Sequence, residues 1–238
     1  MKKAVSLKNL SFKFDSSLIL DDVSFEIEQG KIVAIIGPNG SGKTTLLKNI
    51  IGAYQPSSGS VKVFDKDPER VVRHIGYVPQ RFDFDRSIPI SVYEFIALEK
   101  CGNQQHAPGR ISEVLKSVGL ANLEKSKLGE LSGGQFQRVM IARALLHEKA
   151  ILIFDEPATG VDIAGGRTIY DLIKKINQER KTTCLIVSHE LSVVSRYADE
   201  VICLNKKVVC SGKPETVITP ETLNNLYGTS IGLYHQHH

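Results

Sequence analysis

The sequence contains no tryptophan, and no apolar run in it is long enough to cross a bilayer. It does not favour one sign of charge either. Its 30 basic and 26 acidic residues leave a net charge of +4, which is too even a balance to predict binding to nucleic acid. Met1-Lys2-Lys3 is followed by alternating residues and not by an apolar signal segment. We therefore expect a cytoplasmic protein that depends on partners for any membrane part.

Cysteine is also scarce, at 4 residues in 238, and no two cysteines form a C-x-x-C pair. The spacing does not support a zinc or redox motif, so we expect reduced, inert thiols at Cys101, Cys184, Cys203 and Cys210. The composition is 42% hydrophobic and 24% charged. Such values are typical of a soluble globule, and the length predicts one large α/β domain with room for a small inserted subdomain.

A glycine-rich loop is the strongest catalytic motif. Residues 37–44 match G-x-x-x-x-G-K-[ST] at every fixed position, between a buried strand over 32–36 and a helix over 45–51. This geometry holds phosphate, because backbone N–H groups and the helix N-terminus face the anion. We expect Lys43 to reach the β- and γ-phosphates and the Thr44 hydroxyl to ligate Mg²⁺. The predicted nucleotide-binding residues here are Gly37, Pro38, Asn39, Gly40, Ser41, Gly42, Lys43, Thr44 and Thr45.

Polar residues follow two further buried strands. The strand over residues 150–154 runs directly into Asp155 and Glu156. A carboxylate in this position can hold Mg²⁺, which suits Asp155, and Glu156 is then placed to polarise the attacking water as general base. His189 follows the strand over 183–187, and the carboxyl ends of strands line the ligand crevice in open α/β sheets.

The stretch after Gln80 predicts an inserted helical subdomain. Ser91 and Glu94 have the spacing of a capping box, and apolar residues recur at helical intervals over 111–118. The resulting division of the single domain is 1–84 and 136–238 for a core with an antiparallel β subdomain, and 85–135 for the helical subdomain.

The segment Leu131-Ser132-Gly133-Gly134-Gln135 matches the signature of ABC transporter ATP-binding subunits, and the chain resembles that family over nearly its whole length. The resemblance implies an α/β P-loop NTPase core with the two subdomains described above. It also makes Gln80 the Q-loop glutamine, Asp162 the D-loop aspartate and His189 the switch histidine. Phe14 stands where the family usually has a tyrosine that stacks on adenine, and it keeps the stacking face.

The resemblance further implies a head-to-tail homodimer that sandwiches two ATP molecules. Ser132 and Gly134 of one copy would contact the γ-phosphate held by Lys43 of the other, so that hydrolysis opens the dimer. Two transmembrane permease subunits and, indirectly, an extracytoplasmic solute-binding protein are the implied partners, with this chain on the cytoplasmic face of the membrane. The residues implied in each role are Glu156, His189 and Gln80 for catalysis, Phe14, Ser132, Gly133, Gly134, Gln135 and Asp162 for the nucleotide, and Thr44, Gln80 and Asp155 for Mg²⁺.

Several local strings resemble the zinc and manganese uptake branch of the family. They lie at residues 80–92, 155–162 and 210–214, and the chain ends in His235, His237 and His238, as several members of that branch end in histidine-rich tails. The resemblance therefore implies import of a divalent transition metal ion.

Three alternatives remain at this stage. The same type of ATP-binding subunit can energise import of another cargo, such as an iron–siderophore. A soluble ABC-type ATPase can instead serve DNA repair, translation or cofactor assembly, although the segment between Gln80 and Ser132 is too short for the coiled-coil arm of the repair type. A P-loop kinase or GTPase leaves residues 131–135 unexplained.

Overall fold

The computed structural model describes residues 2–80, 82–99, 107 and 109–228. Its strands are β1 (Lys3–Phe14), β2 (Ser17–Glu28), β3 (Ile32–Ile36), β4 (Ser58–Val63), β5 (Ile75–Val78), β6 (Ile151–Asp155), β7 (Thr183–Val187), β8 (Glu200–Asn205) and β9 (Lys207–Gly212). Its α-helices are α1 (Lys43–Ile50), α2 (Pro68–Val71), α3 (Val92–Ala97), α4 (Arg110–Ser117), α5 (Gly133–Ala144), α6 (Ile163–Arg180), α7 (Leu191–Tyr197), α8 (Pro214–Val217) and α9 (Pro220–Tyr227). The chain divides into a first unit, formed by the described parts of Met1–Val72 and Thr183–His238, and a second unit, Arg73–Thr182.

An antiparallel sheet in the first unit has the strand order β2-β1-β4. Leu7 is paired with Phe25 of β2 on one side and with Val61 of β4 on the other. All three side chains are buried, so the apolar residues of the alternating pattern face one layer of the core. Residues 4–36 alternate apolar and polar in several short runs, which predict half-buried antiparallel strands. These strands are confirmed, although β1 and β2 are longer than the runs.

The parallel strands of the first unit position the phosphate loop. Strand β3 lies between β7 and β8 and pairs with both in parallel register, and all five of its residues are buried. Full burial on both faces explains its continuous apolar sequence. The chain then leaves β3 through residues 37–42 and enters α1. Strands β8 and β9 form an antiparallel hairpin, which the short runs over residues 201–204 and 207–210 of the sequence predict.

The second unit joins two parallel strands, β5 and β6, to a group of helices. Helices α3 and α4 pack against α5, which also contacts β5. The predicted capping box at the start of α3 is confirmed, because Ser91 Oγ accepts from the Glu94 backbone and the Glu94 carboxylate accepts from Ser91 N–H. The division at residues 84/85 and 135/136 stays a prediction.

An aromatic cluster ties α3 and α5 to the stretch that follows Gln80. Phe82 lies edge-on to Phe95, with ring centroids 5.3 Å apart. The guanidinium of Arg143 lies 5.0 Å from the centroid of the Phe95 ring and forms an ion pair with Glu99, with 2.9 Å between Nε and Oε2. Cation–π contact and the half-buried ion pair together fix the position of α3 on α5.

The expectation of reduced, inert thiols is wrong for Cys203 and Cys210, which are joined by a disulfide. They are seven positions apart in the sequence and lie opposite each other across the β8–β9 hairpin, with Cα atoms 4.8 Å apart. Cys184 on β7 is a buried thiol. Cys101 and the three histidines of the tail, His235, His237 and His238, lie outside the described residues.

Candidate active site

The phosphate loop of the first unit folds as the glycine motif predicts. Gly42 is the N-cap of α1 and has φ at +97°, a left-handed conformation that a side chain disfavours. An added Cβ at this position would also meet the Leu20 side chain. At Gly37, an added Cβ would collide with the carbonyl oxygen of Leu204. The two fixed glycines of the motif are therefore required by backbone conformation and by close packing against the neighbouring strands.

Lys43 lies within this loop. Its side chain is buried, and its ammonium donates to the carbonyl oxygens of Gly37 and Pro38 at 2.8 Å each. Ser41 Oγ is also buried and has no hydrogen-bond partner among the residues that the structure describes. Buried polar atoms are normally satisfied, so a cluster of buried ammonium and hydroxyl at a helix N-terminus suits an anion. The adjoining Thr44 and Thr45 lie in the first turn of α1.

Phe14 and His189 belong to the same unit. Phe14 ends β1 with 59% of its surface exposed, which leaves the ring face available for stacking. Strand β7 pairs with β3 in the register Ile35 to Val187, so His189 and the phosphate loop leave the same edge of the parallel strands. The predicted position of His189 near the loop edge agrees with this register.

The second unit holds the acidic residues. Asp155 ends β6 with 3% of its surface exposed, and the hydroxyl of Tyr77 on β5 donates to its Oδ2 at 3.2 Å. Burial, and then the negative charge of Asp155, raises the pKa of Tyr77 well above its ordinary value. Tyr77 therefore stays protonated and acts as the donor in this hydrogen bond.

Glu156 follows in a left-handed backbone conformation, with φ at +49°. Its Oε2 accepts from Gln80 Nε2 at 2.7 Å and from Thr159 Oγ1 at 3.1 Å. A non-glycine residue held at positive φ costs on the order of 1–3 kcal/mol, and such strain concentrates at functional positions. Two hydrogen-bond donors and a constrained backbone thus fix the orientation of the Glu156 carboxylate.

The signature segment forms the start of α5. Ser132 Oγ accepts from Gln135 N–H at 3.3 Å, and the Gln135 side chain accepts from Ser132 N–H at 3.0 Å. The two glycines between them, Gly133 and Gly134, occupy the first helical positions. A Cβ at Gly133 would lie 2.9 Å from the carbonyl oxygen of Gly160, so only glycine allows this approach.

A second helix begins beside the signature. Asp162 caps α6, where its Oδ1 accepts from Gly165 N–H at 2.7 Å. Residues at the starts of α5 and α6 line one cleft of about 750 Å³. A helix N-terminus carries partial positive charge, which the Asp162 carboxylate offsets at α6, so the start of α5 is the part of this cleft that suits an anion.

The structure therefore places the predicted residues in two groups, one in each unit. The first unit holds Phe14, residues 37–45 and His189, and the second holds Gln80, Asp155, Glu156, residues 132–135 and Asp162.

Sequence reasoning missed two members of the second group. Tyr77 and Thr159 bind the two carboxylates directly. A tyrosine in a buried strand needs a partner for its hydroxyl, and that rule could have drawn attention to Tyr77.

A family model described as ABC transporter matches residues 20–159. The chain belongs to the ABC transporter family. The resemblance inferred from the signature and the α/β P-loop fold are both confirmed. As a member of this family the chain is an ATPase, and ATP is its substrate. Within the described residues no helix is both long and apolar enough to span a membrane.

Similar proteins match between 88% and 100% of the chain. The zinc import ATP-binding protein ZnuC of Vibrio vulnificus is 41% identical over 242 residues, covering 100% of this chain and 89% of that protein. The solved structure of cbiO1 from Clostridium perfringens, part of the ABC transporter complex cbiONQ, is 28% identical, with a TM-score of 0.82 and coverage of 94% of this chain and 96% of that chain. A bacterial ABC transporter cassette solved as a dimer is 30% identical, with a TM-score of 0.76 and coverage of 88% and 98%.

Proposed function

We propose that this chain hydrolyses ATP to drive import of a divalent transition metal ion, zinc first and manganese second, across the cytoplasmic membrane. The observation that supports this cargo is the similarity to a zinc import ATP-binding protein, which is 41% identical and covers 100% of this chain. The strings at 80–92, 155–162 and 210–214 support the same branch of the family. The ion is cargo, and this chain supplies the energy for its passage.

ATP is held first through its phosphates. The loop N–H groups, the Lys43 ammonium and the buried Ser41 hydroxyl bind the phosphate oxygens, while the exposed ring of Phe14 stacks on adenine. Lys43 exchanges the carbonyl oxygens of Gly37 and Pro38 for phosphate oxygens, which are stronger partners because they are charged. In this proposal the affinity for ATP rests on residues 37–45 and on Phe14.

The residues predicted to hold Mg²⁺ fit that ion. The hydroxyl of Thr44, the carboxylate of Asp155 and the amide oxygen of Gln80 are each an oxygen ligand of the kind that Mg²⁺ prefers. Bound Mg²⁺ would neutralise charge on the β- and γ-phosphates. Tyr77 orients Asp155 for this role through the hydrogen bond to Oδ2.

Hydrolysis then depends on Glu156 and His189. The Glu156 carboxylate takes a proton from the attacking water, and Gln80 and Thr159 hold that carboxylate in place. His189 donates a hydrogen bond to the γ-phosphate as charge develops on it. Gln80 contacts the general base and also begins the segment that leads to the helices, so it links the state of the nucleotide to the helical subdomain.

A second copy completes each site in this proposal. The cleft at the starts of α5 and α6 presents Ser132, Gly133 and Gly134 to an anion, and Asp162 lines the same cleft. We assign this cleft to the γ-phosphate held by the partner copy in a head-to-tail homodimer, and the dimeric cassette that is 30% identical supports that arrangement. Loss of the γ-phosphate removes the bridge and opens the dimer.

Two permease subunits and an extracytoplasmic solute-binding protein are the proposed partners, with this chain at the cytoplasmic face. Among the described residues, three of the six large hydrophobic side chains that are exposed lie close together in sequence, namely Ile88, Tyr93 and Leu98. This concentration around α3 favours the helical subdomain as the surface that meets the permeases.

Purification of the tagged chain from native membranes tests the proposed partners. Co-purification of polytopic subunits is expected, and their absence, with only soluble proteins recovered, would favour the cofactor-assembly alternative. Deletion of the gene should slow growth in chelated medium, and added zinc or manganese should restore it. A Lys43→Ala copy should fail to complement. Rescue of growth by an iron–siderophore alone would show that the cargo is the iron–siderophore and not zinc or manganese.

A further inference from the structure

The Cys203–Cys210 pair is a chemical feature that ATP hydrolysis does not use. Cys203 is fully buried on β8, whereas Cys210 on β9 is partly exposed. The two are partners in the antiparallel register, with Cα atoms 4.8 Å apart. This separation lies in the range that a disulfide spans, so the pair can close without a large movement of the backbone.

The β8–β9 hairpin is joined to the phosphate loop. On the other side of β8, Cys203 pairs with Ile36, the last residue before the loop begins at Gly37. The next residue, Leu204, packs its carbonyl oxygen against Gly37. At the hairpin turn, Lys206 N–H donates to the carbonyl oxygen of Ser41 at 2.9 Å.

The same turn is also fixed to β2. The carbonyl oxygen of Lys206 accepts from Asp21 N–H at 2.8 Å, and the Lys207 ammonium lies 2.9 Å from the Asp21 carboxylate. Any change in the twist of the hairpin therefore reaches the phosphate loop through Leu204 and Lys206. These contacts all lie within the first unit.

We propose that Cys203 and Cys210 form a site of reversible thiol–disulfide exchange that sets the affinity of the phosphate loop for ATP. The disulfide clamps β8 to β9 and holds the hairpin turn against the loop. The reduced pair releases this clamp, which weakens the hydrogen bond from Lys206 to Ser41 and loosens the loop. The device acts on nucleotide binding and does not depend on the ion that is transported.

The exchange partner is a low-molecular-weight disulfide such as oxidised glutathione. The Cys210 thiolate attacks one sulfur of this molecule, forms a mixed disulfide and releases one small thiolate, which takes up the proton lost by Cys210. The Cys203 thiolate then attacks the Cys210 sulfur, forms the intramolecular disulfide and displaces the second small thiolate, which takes up the proton from Cys203. The pair loses two electrons, and the small disulfide gains them.

Accessibility assigns the first attack to Cys210. Thiol–disulfide exchange requires access to the sulfur, which Cys210 has and Cys203 lacks. Cys184 provides an internal contrast. Its sulfur is buried and lacks that access, and burial, with a smaller effect of the Asp199 charge, raises the pKa of its thiol.

Two measurements on the full chain test this proposal. The protein, carrying Cys101→Ser so that fewer thiols compete, is equilibrated in buffers from fully reduced to fully oxidised glutathione. Differential alkylation with mass spectrometry then reports the state of each cysteine. Calorimetry with Mg²⁺ and a non-hydrolysable ATP analogue reports the Kd. We expect the Cys203–Cys210 disulfide to form as glutathione is oxidised, and the Kd to be about two- to tenfold higher in the reduced protein, the range for one weakened hydrogen bond.

Two variants give matched controls. Cys210→Ser, at the partly exposed position, should show the weaker binding in every buffer. Cys184→Ser should keep the full redox response. If the pair stays reduced in oxidised glutathione, the exchange site is refuted. If the disulfide forms but the Kd does not change, or if Cys210→Ser binds like the oxidised wild type, control of the phosphate loop is refuted.

Discussion

Replacing Glu156 by glutamine separates the binding of ATP from its hydrolysis. Glutamine has the shape of glutamate, and its amide oxygen can still accept from Gln80 and Thr159, which hold the native carboxylate at 2.7 and 3.1 Å. The amide has no basicity, however, so it cannot take a proton from water. Glu156→Gln therefore removes the proposed general base and leaves its surroundings in place.

The magnitude follows from that single loss. General-base catalysis contributes about 10²- to 10⁴-fold to a rate, which corresponds to about 3–5 kcal/mol of activation free energy. Affinity should change little, because the proposed phosphate contacts come from Lys43 and the loop that starts at Gly37, and the substitution alters none of these residues. Stability should also change little, since the substitution leaves the strained backbone at Glu156 as it is.

The assay compares phosphate release with nucleotide binding in the wild type and Glu156→Gln. We expect hydrolysis to fall by the factor above while the Kd for Mg²⁺–ATP stays within about twofold, since no direct phosphate contact is lost. With ATP bound and not hydrolysed, the variant should elute as a dimer in size exclusion. Glu179→Gln, an exposed carboxylate in an ion pair with Lys175, is the matched control and should hydrolyse normally. Near-normal turnover by Glu156→Gln would remove Glu156 from the role of general base.

Three further perturbations test separate parts of the structure. A mixture of the inactive Lys43→Ala protein and the inactive Ser132→Arg protein should recover some ATPase activity, because one hybrid interface pairs an intact loop with an intact signature. If hybrid dimers form and no activity returns, the active site is not shared between copies. Tyr77→Phe leaves Asp155 without its donor at 3.2 Å and should lower the free energy of unfolding by about 1.5–3 kcal/mol in urea titrations; an unchanged midpoint would show that the hydrogen bond contributes nothing. Ser91→Ala removes the cap of α3 and should cost about 1 kcal/mol in the same titrations, and no change there would contradict the capping role.

The local elements were the predictable part of the fold. The strand, loop and helix around residues 32–50 follow from a motif whose residues are contiguous, and so do the Ser91 cap and the β8–β9 hairpin. The signature could have been interpreted further, because Ser132 and Gln135 have the S-x-x-Q spacing of a capping box, which the structure contains.

Contacts between distant residues could not be predicted in this way. Gln80 and Glu156 are 76 positions apart, and only the parallel pairing of β5 with β6 brings Gln80 to the carboxylate. The same pairing brings Tyr77 to Asp155. The positive φ of Glu156 likewise cannot be predicted from the residue type, because tertiary contacts and not intrinsic propensity impose it.

The most direct test of the account is metal transport by the complex that this chain energises. The chain is purified with its membrane subunits and reconstituted in vesicles with the ATP-binding side outward. Metal enclosed with the solute-binding protein then models the extracytoplasmic side. Added Mg²⁺–ATP should release zinc or manganese from the vesicles with wild-type protein, and the Glu156→Gln complex should release neither at a comparable rate. ATP hydrolysis without movement of either metal would contradict the proposed function.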